Sequence, residues 1–348
     1  GAVVIVGIQY LGEPASIPPR QVTPYGKTVN FDWQECEAWP GGAYYWKTFD
    51  DRLRLAELAG FRDHVVTLRS KHVRSDMVRP TVTPPAEIAA LAYAQASAPP
   101  VDLAGYERWV AACAARYRGR VGAWQIESEQ TDETHWLGTV GDYVGLWEAA
   151  SAAIGRATLV VIGGVGFGDL LDDLSPSDDL ETILGQRIAT WPEPYRSMGN
   201  RSLGFGFQMY ASIAPDAACL HALSGAGGIA SGVELIRRNL WSECPVWVDD
   251  ATSAPLALYD PRGFNQPADG WTMLVDLLGL ISKNSAAIAK RERAQADMVA
   301  AKIAAARECG VERIYFGTLT DWPLIAATGA LAFQGLRRPA LDVVRAAQ

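Results

Sequence analysis

Two glutamates separated by one serine end an apolar stretch of the chain, VGAWQIESEQ, which runs from Val121 to Gln130. Alternate side chains of a strand point to the same face. The sequence therefore predicts that Glu127 and Glu129 share a face while Ser128 takes the other. Burying unpaired carboxylates is costly, so we expect this strand to end where solvent, a partner or a ligand reaches it.

The composition argues against several classes of protein. The chain has 348 residues, 49% of them hydrophobic and 20% charged, which suits one large barrel or two medium domains. A net charge of -8 argues against a nucleic-acid partner. No apolar run approaches the roughly 18 residues of a membrane span. The opening AVVIVGI lacks the basic flank of a signal peptide, so we interpret it as a buried first strand.

The sequence leaves the localisation of the protein open, with a secreted or cell-surface protein favoured over a cytoplasmic one. It does not indicate the oligomeric state. The four histidines show no HxxxH or HExxH pairing, and no metal or organic cofactor is implied. The five cysteines show no CxxC spacing, so we expect them to be mostly free or buried thiols, with room for one disulfide. They are Cys36, Cys113, Cys219, Cys244 and Cys309.

Strand-like and helix-like segments alternate from one end of the chain to the other. Such alternation is typical of parallel strands joined by crossover helices. The predicted strands are AVVIVGIQY (2–10), KTVNFDW (27–33), FRDHVVTLRS (61–70), VGAWQI (121–126), ATLVVIGG (157–164), SLGFGFQMY (202–210), CPVWVDD (244–250) and VERIYFGTL (311–319). The predicted helices lie in segments 48–60, 105–119, 141–155, 179–189, 228–241, 287–310 and the last part of 329–347.

Eight such units predict a (β/α)8 TIM barrel that forms a single domain over residues 1–348, with elaborated loops at the carboxyl ends of the strands. The rival is an open doubly wound sheet. Its phosphate loop would fall on GGVGFGD, where Asp169 stands in place of the last glycine of GxGxxG. The chain also lacks a P-loop and a GxSxG motif, so the barrel is favoured.

In such a barrel, functional residues gather at the carboxyl ends of the strands. Carboxylates there would face each other across the barrel, interspersed with aromatic residues. Two facing carboxylates are what glycoside hydrolysis needs, and aromatic faces stack on sugar rings, so we expect a carbohydrate substrate. The rim residues are Trp33, Glu127, Glu129, Gln208, Tyr210, Asp249, Asp250, Asp321 and Trp322.

Two segments resemble motifs of the clan of retaining (β/α)8-barrel glycoside hydrolases. RYRGRVGAWQIESE is similar to the clan's fourth strand, which closes on Asn-Glu, and CPVWVDD is similar to its seventh. The resemblance extends through DWQECEAWPGG, GVERIYFGTLTDW and LRRPALDVV. It implies that Glu129 is the general acid/base and Asp250 the nucleophile, with Glu127 and Asp249 as possible alternates.

The chain departs from the clan's pattern at four places. Ser128 replaces the Asn before the acid/base, and Asp250 is one methylene shorter than the usual Glu. Gln208 stands where the sixth strand usually has His, although Tyr210 is kept. The Arg common near the end of the second strand has no counterpart in KTVNFDW.

We expect Glu129 to be catalytic and Glu127 to make a structural hydrogen bond. If Asp250 points into the barrel mouth, Asp249 points toward the helices. Substrate contacts are expected from Trp33, Ser128, Gln208, Tyr210 and Trp322. The leading hypothesis is a retaining glycoside hydrolase acting on an oligo- or polysaccharide. A non-hydrolytic carbohydrate-binding protein and an inverting glycosidase are the alternatives. The sequence indicates neither the sugar, nor its linkage, nor internal or terminal cleavage.

Overall fold

The fold is an eight-position barrel of parallel strands surrounded by helices. The computed structural model describes residues 3–10, 24–166, 180–190, 193, 196, 199–201, 212–221, 226–239, 242–251, 285–317, 332–333, 336–337 and 339–347. The strands are β1 (Ile5–Tyr10), β2 (Tyr25–Asp32), β3 (Asp63–Arg69), β4 (Val121–Ile126), β5 (Leu159–Ile162), β6 (Val165–Gly166), β7 (Ala218–His221), β8 (Val246–Asp250) and β9 (Arg313–Phe316). Two further strands, β10 (Ala332–Phe333) and β11 (Leu336–Arg337), form a separate antiparallel pair.

Helices follow most of these strands along the chain. They are α1 (Trp33–Cys36), α2 (Lys47–Ala59), α3 (Ala89–Gln95), α4 (Leu103–Arg116), α5 (Val140–Ile154), α6 (Leu180–Ala189), α7 (Ala226–Asn239), α8 (Ser285–Glu308) and α9 (Pro339–Ala346). Helix α2 ends where the sequence predicts, at Gly60, whose φ of 111° lies in the left-handed region that glycine adopts without strain. None of the described helices combines the length and apolar character that a bilayer crossing needs.

Parallel pairing runs around the barrel in the order β5, β4, β3, β2, β1, β9, β8, β7, β6. Strands β5 and β6 are consecutive pieces of one barrel position: β5 pairs with β4, and β6 pairs with β7. An isolated bridge between Val161 and Ala217 joins the same two sides. The ring of eight parallel strands is therefore nearly closed, which confirms the predicted barrel.

The sixth barrel position is held by β7, Ala218–His221, which pairs with β6 on one side and β8 on the other. The segment predicted for this position, 202–210, lies outside the described residues. Because both neighbours of β7 are accounted for, the residue that ends the sixth strand is His221. This corrects the expectation that the sixth strand is the segment that carries Gln208.

Side chains from distant strands meet inside the barrel near the amino ends of the strands. Arg313 on β9 lies 3.0 Å from the Asp63 carboxylate on β3, and its guanidinium is 4.5 Å from the centre of the Trp247 ring. Tyr315, two residues further along β9, lies over Gly7 of β1, where a Cβ atom would overlap its ring. The interior is thus filled by packed side chains rather than left as a channel.

We predict that Gly7→Ala lowers the free energy of unfolding by about 1–3 kcal/mol, the range of core overpacking, because the buried Tyr315 ring has no room to move. Urea unfolding measures the change. Gly145→Ala is the matched control: its helical site in α5 has open space around a new Cβ, so it should raise stability by about 0.5–1 kcal/mol. Equal effects of the two substitutions would contradict the packing argument.

Candidate active site

Strand β4 ends at Ile126, and the two glutamates that follow do not continue its alternation. Glu127 has a φ of 61° and Glu129 a φ of 50°, both in the left-handed region that non-glycine residues rarely adopt. The prediction that these side chains share a strand face is therefore wrong. Backbone strain of this kind is concentrated at functional sites and needs support from its surroundings.

That support comes from the end of β5 and from α5. The Tyr143 hydroxyl donates to the Ile126 carbonyl at 2.9 Å, and the Gln130 side-chain amide donates to the Gly163 carbonyl at 3.1 Å. A Cβ at Gly163 would overlap the Gln130 side chain and the Glu127 backbone. Glycine at position 163 therefore allows the strained turn to pack against β5.

Glu127 is a structural residue. Its side chain is fully buried, and one carboxylate oxygen accepts a hydrogen bond from the Ser70 backbone N–H at 2.6 Å. The other oxygen lies 3.9 Å from Arg69, which ends β3 and also lies 3.8 Å from Asp32. Burial raises the pKa of Glu127, and Arg69 and Ser70 offset only part of that rise. The expected structural hydrogen bond is confirmed.

Glu129 is open to solvent on one side and lies between two imidazole rings. Its Oε2 is 3.7 Å from Nε2 of His221, and its Oε1 is 3.3 Å from Nε2 of His135. About a quarter of its side chain is exposed, whereas the His221 side chain is only 8% exposed. The Glu129 carboxylate can therefore reach a ligand on its exposed side, while the buried His221 ring on its other side limits its movement.

Asp249 points into the barrel and contacts His221 from the opposite side. Its Oδ1 lies 3.8 Å from Nδ1 of His221, and its Oδ2 accepts a hydrogen bond from the Gln125 side chain at 2.8 Å. Lys27 on β2 lies 3.5 Å from the same Oδ2. A Cβ at Gly164 would overlap the carboxylate. The expectation that Asp249 points toward the helices is therefore wrong.

The pairing of β7 with β8 is irregular close to Asp249. Leu220 lies opposite Val248, but His221 lies opposite Asp250, so β8 carries one extra residue there. A bulge of this kind changes the direction of the side chains that follow it. Strict alternation along CPVWVDD therefore gave no reliable orientation for the two aspartates.

His221 is held as an imidazolium. Burial alone would lower its pKa, but the carboxylates of Glu129, Asp249 and Asp250 outweigh burial and raise the pKa to about 10. For Asp249, burial would raise the pKa, but Lys27, His221 and Gln125 lower it to about 2. Lys27, Asp249 and His221 thus form a row of neighbouring charged groups that leads from the barrel interior to Glu129 at the open site.

Asp250 is the last residue of β8 and is only partly buried. The bulge places it opposite His221, and its negative charge contributes to the raised pKa of that ring. In the barrel order, β8 is separated from β4 by the β5–β6 position and β7. Asp250 and Glu129 therefore lie at strand ends that are separated by two barrel positions.

The remaining candidate residues divide into three groups. Trp33 is 2% exposed, donates to Glu37 at 2.8 Å and stacks on Trp109. A ring so enclosed has no free face for a sugar, so Trp33 is a core residue rather than a substrate contact. Ser128 is partly buried between the two glutamates. Gln208, Tyr210 and Trp322, together with Asp321, lie outside the described residues.

His221, Lys27 and His135 were not predicted as site residues. His221 was missed because the sixth strand was placed too early in the chain. Lys27 carried a usable signal, since a lysine inside a predicted strand needs an acidic partner. His135 lies in the loop after β4, and no periodic pattern in a loop indicates contact with a residue six positions earlier.

No family model matches the chain, and no curated protein matches its sequence. Solved structures are similar over nearly the whole length. Xylanase B from Clostridium stercorarium F9 has a TM-score of 0.53 and 11% identity, covering 98% of this chain and 96% of that one. Xylanase 10B from Thermotoga maritima has a TM-score of 0.51 and 9% identity, covering 99% and 94%. XacCel5A has a TM-score of 0.50 and 10% identity, covering 99% and 98%.

At such identities the likeness shows the fold. The chain is a (β/α)8 barrel that is similar from end to end to the barrels of those solved structures. The activities in the names of those structures belong to those proteins.

We predict that His221 stabilises the fold most at low pH. Its folded-state pKa is raised to about 10 from an ordinary value of 6.5, so its contribution is fully present below pH 6.5 and is lost as the pH rises to 10. The difference in unfolding free energy between the wild type and His221→Gln, measured by urea titration, should decrease over this interval. A difference independent of pH would contradict the charged state of His221.

Proposed function

We propose that this protein is a glycoside hydrolase acting on an oligo- or polysaccharide, with Glu129 as general acid/base and Asp250 as nucleophile. The observation that carries the proposal is the position of the Glu129 carboxylate beside His221, which in turn lies opposite Asp250 in the pairing of β7 with β8. Glu129 and Asp250 both lie at the carboxyl ends of parallel barrel strands, where the active sites of such barrels lie. Two carboxyl groups on either side of a bound glycosidic bond can protonate its oxygen and attack its anomeric carbon.

The reaction would begin with Glu129 in its protonated form. It gives its proton to the glycosidic oxygen as the bond from that oxygen to the anomeric carbon breaks, and the Asp250 carboxylate bonds to that carbon. A water molecule then attacks the anomeric carbon, Glu129 takes the proton from the water, and Asp250 leaves as carboxylate. One glycosidic bond and one water molecule are consumed, and both side chains regain their starting states.

His221 would serve this cycle by orienting the Glu129 carboxyl group. Its ring is held from below by Asp249 at 3.8 Å, and Asp249 is held in turn by Gln125 at 2.8 Å. Because the ring is buried and charged, it offers a fixed positive charge beside Glu129 at 3.7 Å. Such a preorganised charge favours the stage at which Glu129 has lost its proton.

The length of Asp250 bears on the stereochemical outcome. Aspartate is one methylene shorter than glutamate, and a misplacement of about 1 Å can reduce a rate roughly a hundredfold. A carboxylate that stops short of the anomeric carbon leaves room for a water molecule and inverts the configuration. NMR analysis of the first-formed product anomer separates retention from inversion.

We predict that Glu129→Gln lowers kcat/KM by about 10²–10⁴-fold on glycosides with poor leaving groups, the range of general acid catalysis. Activated dinitrophenyl glycosides, whose leaving groups need no proton, should lose far less in kcat/KM. Asp250→Asn should remove turnover of both kinds of substrate. Assays on a panel of aryl glycosides, xylan and β-glucans measure these rates.

Two variants control for changes of charge alone. Glu107→Gln and Asp297→Asn make the same substitutions on the exposed faces of α4 and α8 and should leave every rate unchanged. Full activity of Glu129→Gln on poor leaving groups would overturn the proposal. Glycan binding without turnover by the wild type, surviving the loss of both carboxylates, would identify a carbohydrate-binding protein instead.

A further inference from the structure

The second imidazole beside Glu129 belongs to His135, in the loop that leads from β4 to α5. The loop is firmly attached: the Ser97 N–H donates to the His135 carbonyl at 2.8 Å, and the Leu137 N–H donates to the Ser97 carbonyl at 2.9 Å. Trp136, the next residue, is fully buried. The His135 side chain remains 28% exposed, so one ring contacts both Glu129 and solvent.

A short chain of hydrogen bonds fixes the far side of this ring. The Thr134 hydroxyl donates to Asp132 Oδ1 at 2.8 Å, and the same oxygen accepts the Thr134 N–H at 2.6 Å. Nδ1 of His135 lies 3.0 Å from the Thr134 hydroxyl oxygen. A hydroxyl has one hydrogen to donate, and the Asp132 carboxylate receives it. The hydroxyl oxygen must therefore accept from Nδ1, which places a hydrogen on Nδ1.

With Nδ1 protonated, Nε2 is the atom of the ring that gains and loses a proton. It lies 3.3 Å from Oε1 of Glu129. Either Glu129 donates its acid proton to a neutral ring or a charged ring donates to the carboxylate, and the two states differ by one proton moved between Nε2 and Oε1. The hydrogen bond made by one ring nitrogen thus sets the chemistry of the other.

We propose that His135 is a positioning and proton-exchange partner of Glu129, set in its reactive tautomer by Thr134 and Asp132. This role rests on the proposed glycosidase function. When Glu129 takes a proton from the attacking water, that proton can pass to Nε2, making an imidazolium beside the Glu129 carboxylate. The proton returns from Nε2 to Oε1 before Glu129 cleaves the next bond.

The two rings beside Glu129 therefore have different tasks. His221 is buried and paired with Asp249, so it keeps its charge and faces Oε2. His135 is in contact with solvent, faces Oε1, and pairs on its other side with a hydroxyl rather than with a carboxylate. Only the second arrangement allows a proton to be exchanged during each cycle.

The first experiment needs no substrate. The chain has four histidines, so the 15N NMR signals of the imidazoles can be assigned with His135→Gln. As the pH is raised until the His135 ring is neutral, Nδ1 should keep its hydrogen and Nε2 should lose it. In Thr134→Val, which removes the acceptor of Nδ1, the hydrogen should move to Nε2, where it can donate to Glu129.

Thr190→Val makes the same substitution on an exposed threonine after α6 and should leave the His135 signals unchanged. A wild-type neutral ring with its hydrogen on Nε2 would overturn the proposal. So would a ring that remains an imidazolium at every pH at which the protein is folded, or a pattern that Thr134→Val does not alter.

The second experiment measures kcat/KM on glycosides with poor and with activated leaving groups. Thr134→Val and His135→Gln should each lower kcat/KM about tenfold on glycosides with poor leaving groups, because they remove part of the contribution of general acid catalysis. On glycosides with activated leaving groups, kcat/KM should stay within about twofold of the wild-type value. Equal losses on both substrates, or no loss, would overturn proton exchange. No turnover by the wild type would count against the glycosidase function alone, since the tautomer result stands without a substrate.

Discussion

The Asp249 carboxylate is buried inside the barrel, and the free-energy cost of that burial dictates its neighbours. Removing one partner from a buried ion pair costs about 3–5 kcal/mol, and this carboxylate has two such partners, Lys27 at 3.5 Å and His221 at 3.8 Å. Gln125 supplies a hydrogen bond to the same carboxylate from β4. The orientation of His221, and through it that of Glu129, depends on this cluster. The geometry of the open site is therefore determined by groups that lie beneath it, away from solvent.

The alternation of strands and helices was sufficient to predict the barrel, because parallel strands joined by crossover helices close into a ring when eight of them are present. The strand at one of the eight barrel positions escaped prediction. Ala218–His221 has only four residues and contains no β-branched or aromatic side chain, so its own preference for a strand is weak. It is a strand because β6 and β8 offer it hydrogen-bonding edges on both sides. Ser202–Tyr210, rich in aromatic residues, had the stronger local pattern.

The motif on β4 was sufficient to predict where Glu129 lies along the barrel rim, since the position of a residue at the end of a strand depends on local residue types. Its orientation could not be predicted, because the turn from Glu127 to Gln130, with its left-handed residues, packs against Gly163, which follows a different strand. The direction of Asp249 depends on an extra residue in the pairing of β8 with β7. Both features belong to pairs of strands, and the sequence of one strand does not contain them.

The pairing of β1 with β9 has a consequence for how the chain matures on the ribosome. Ile5 pairs with Arg313, so one edge of β1 stays without its partner until translation has reached β9. At about 5–20 residues per second, the nascent chain carries this apolar edge for tens of seconds. Exposed strand edges invite pairing with other chains. Protection by a chaperone during synthesis, rather than the stability of the finished barrel, would then limit the yield of folded protein.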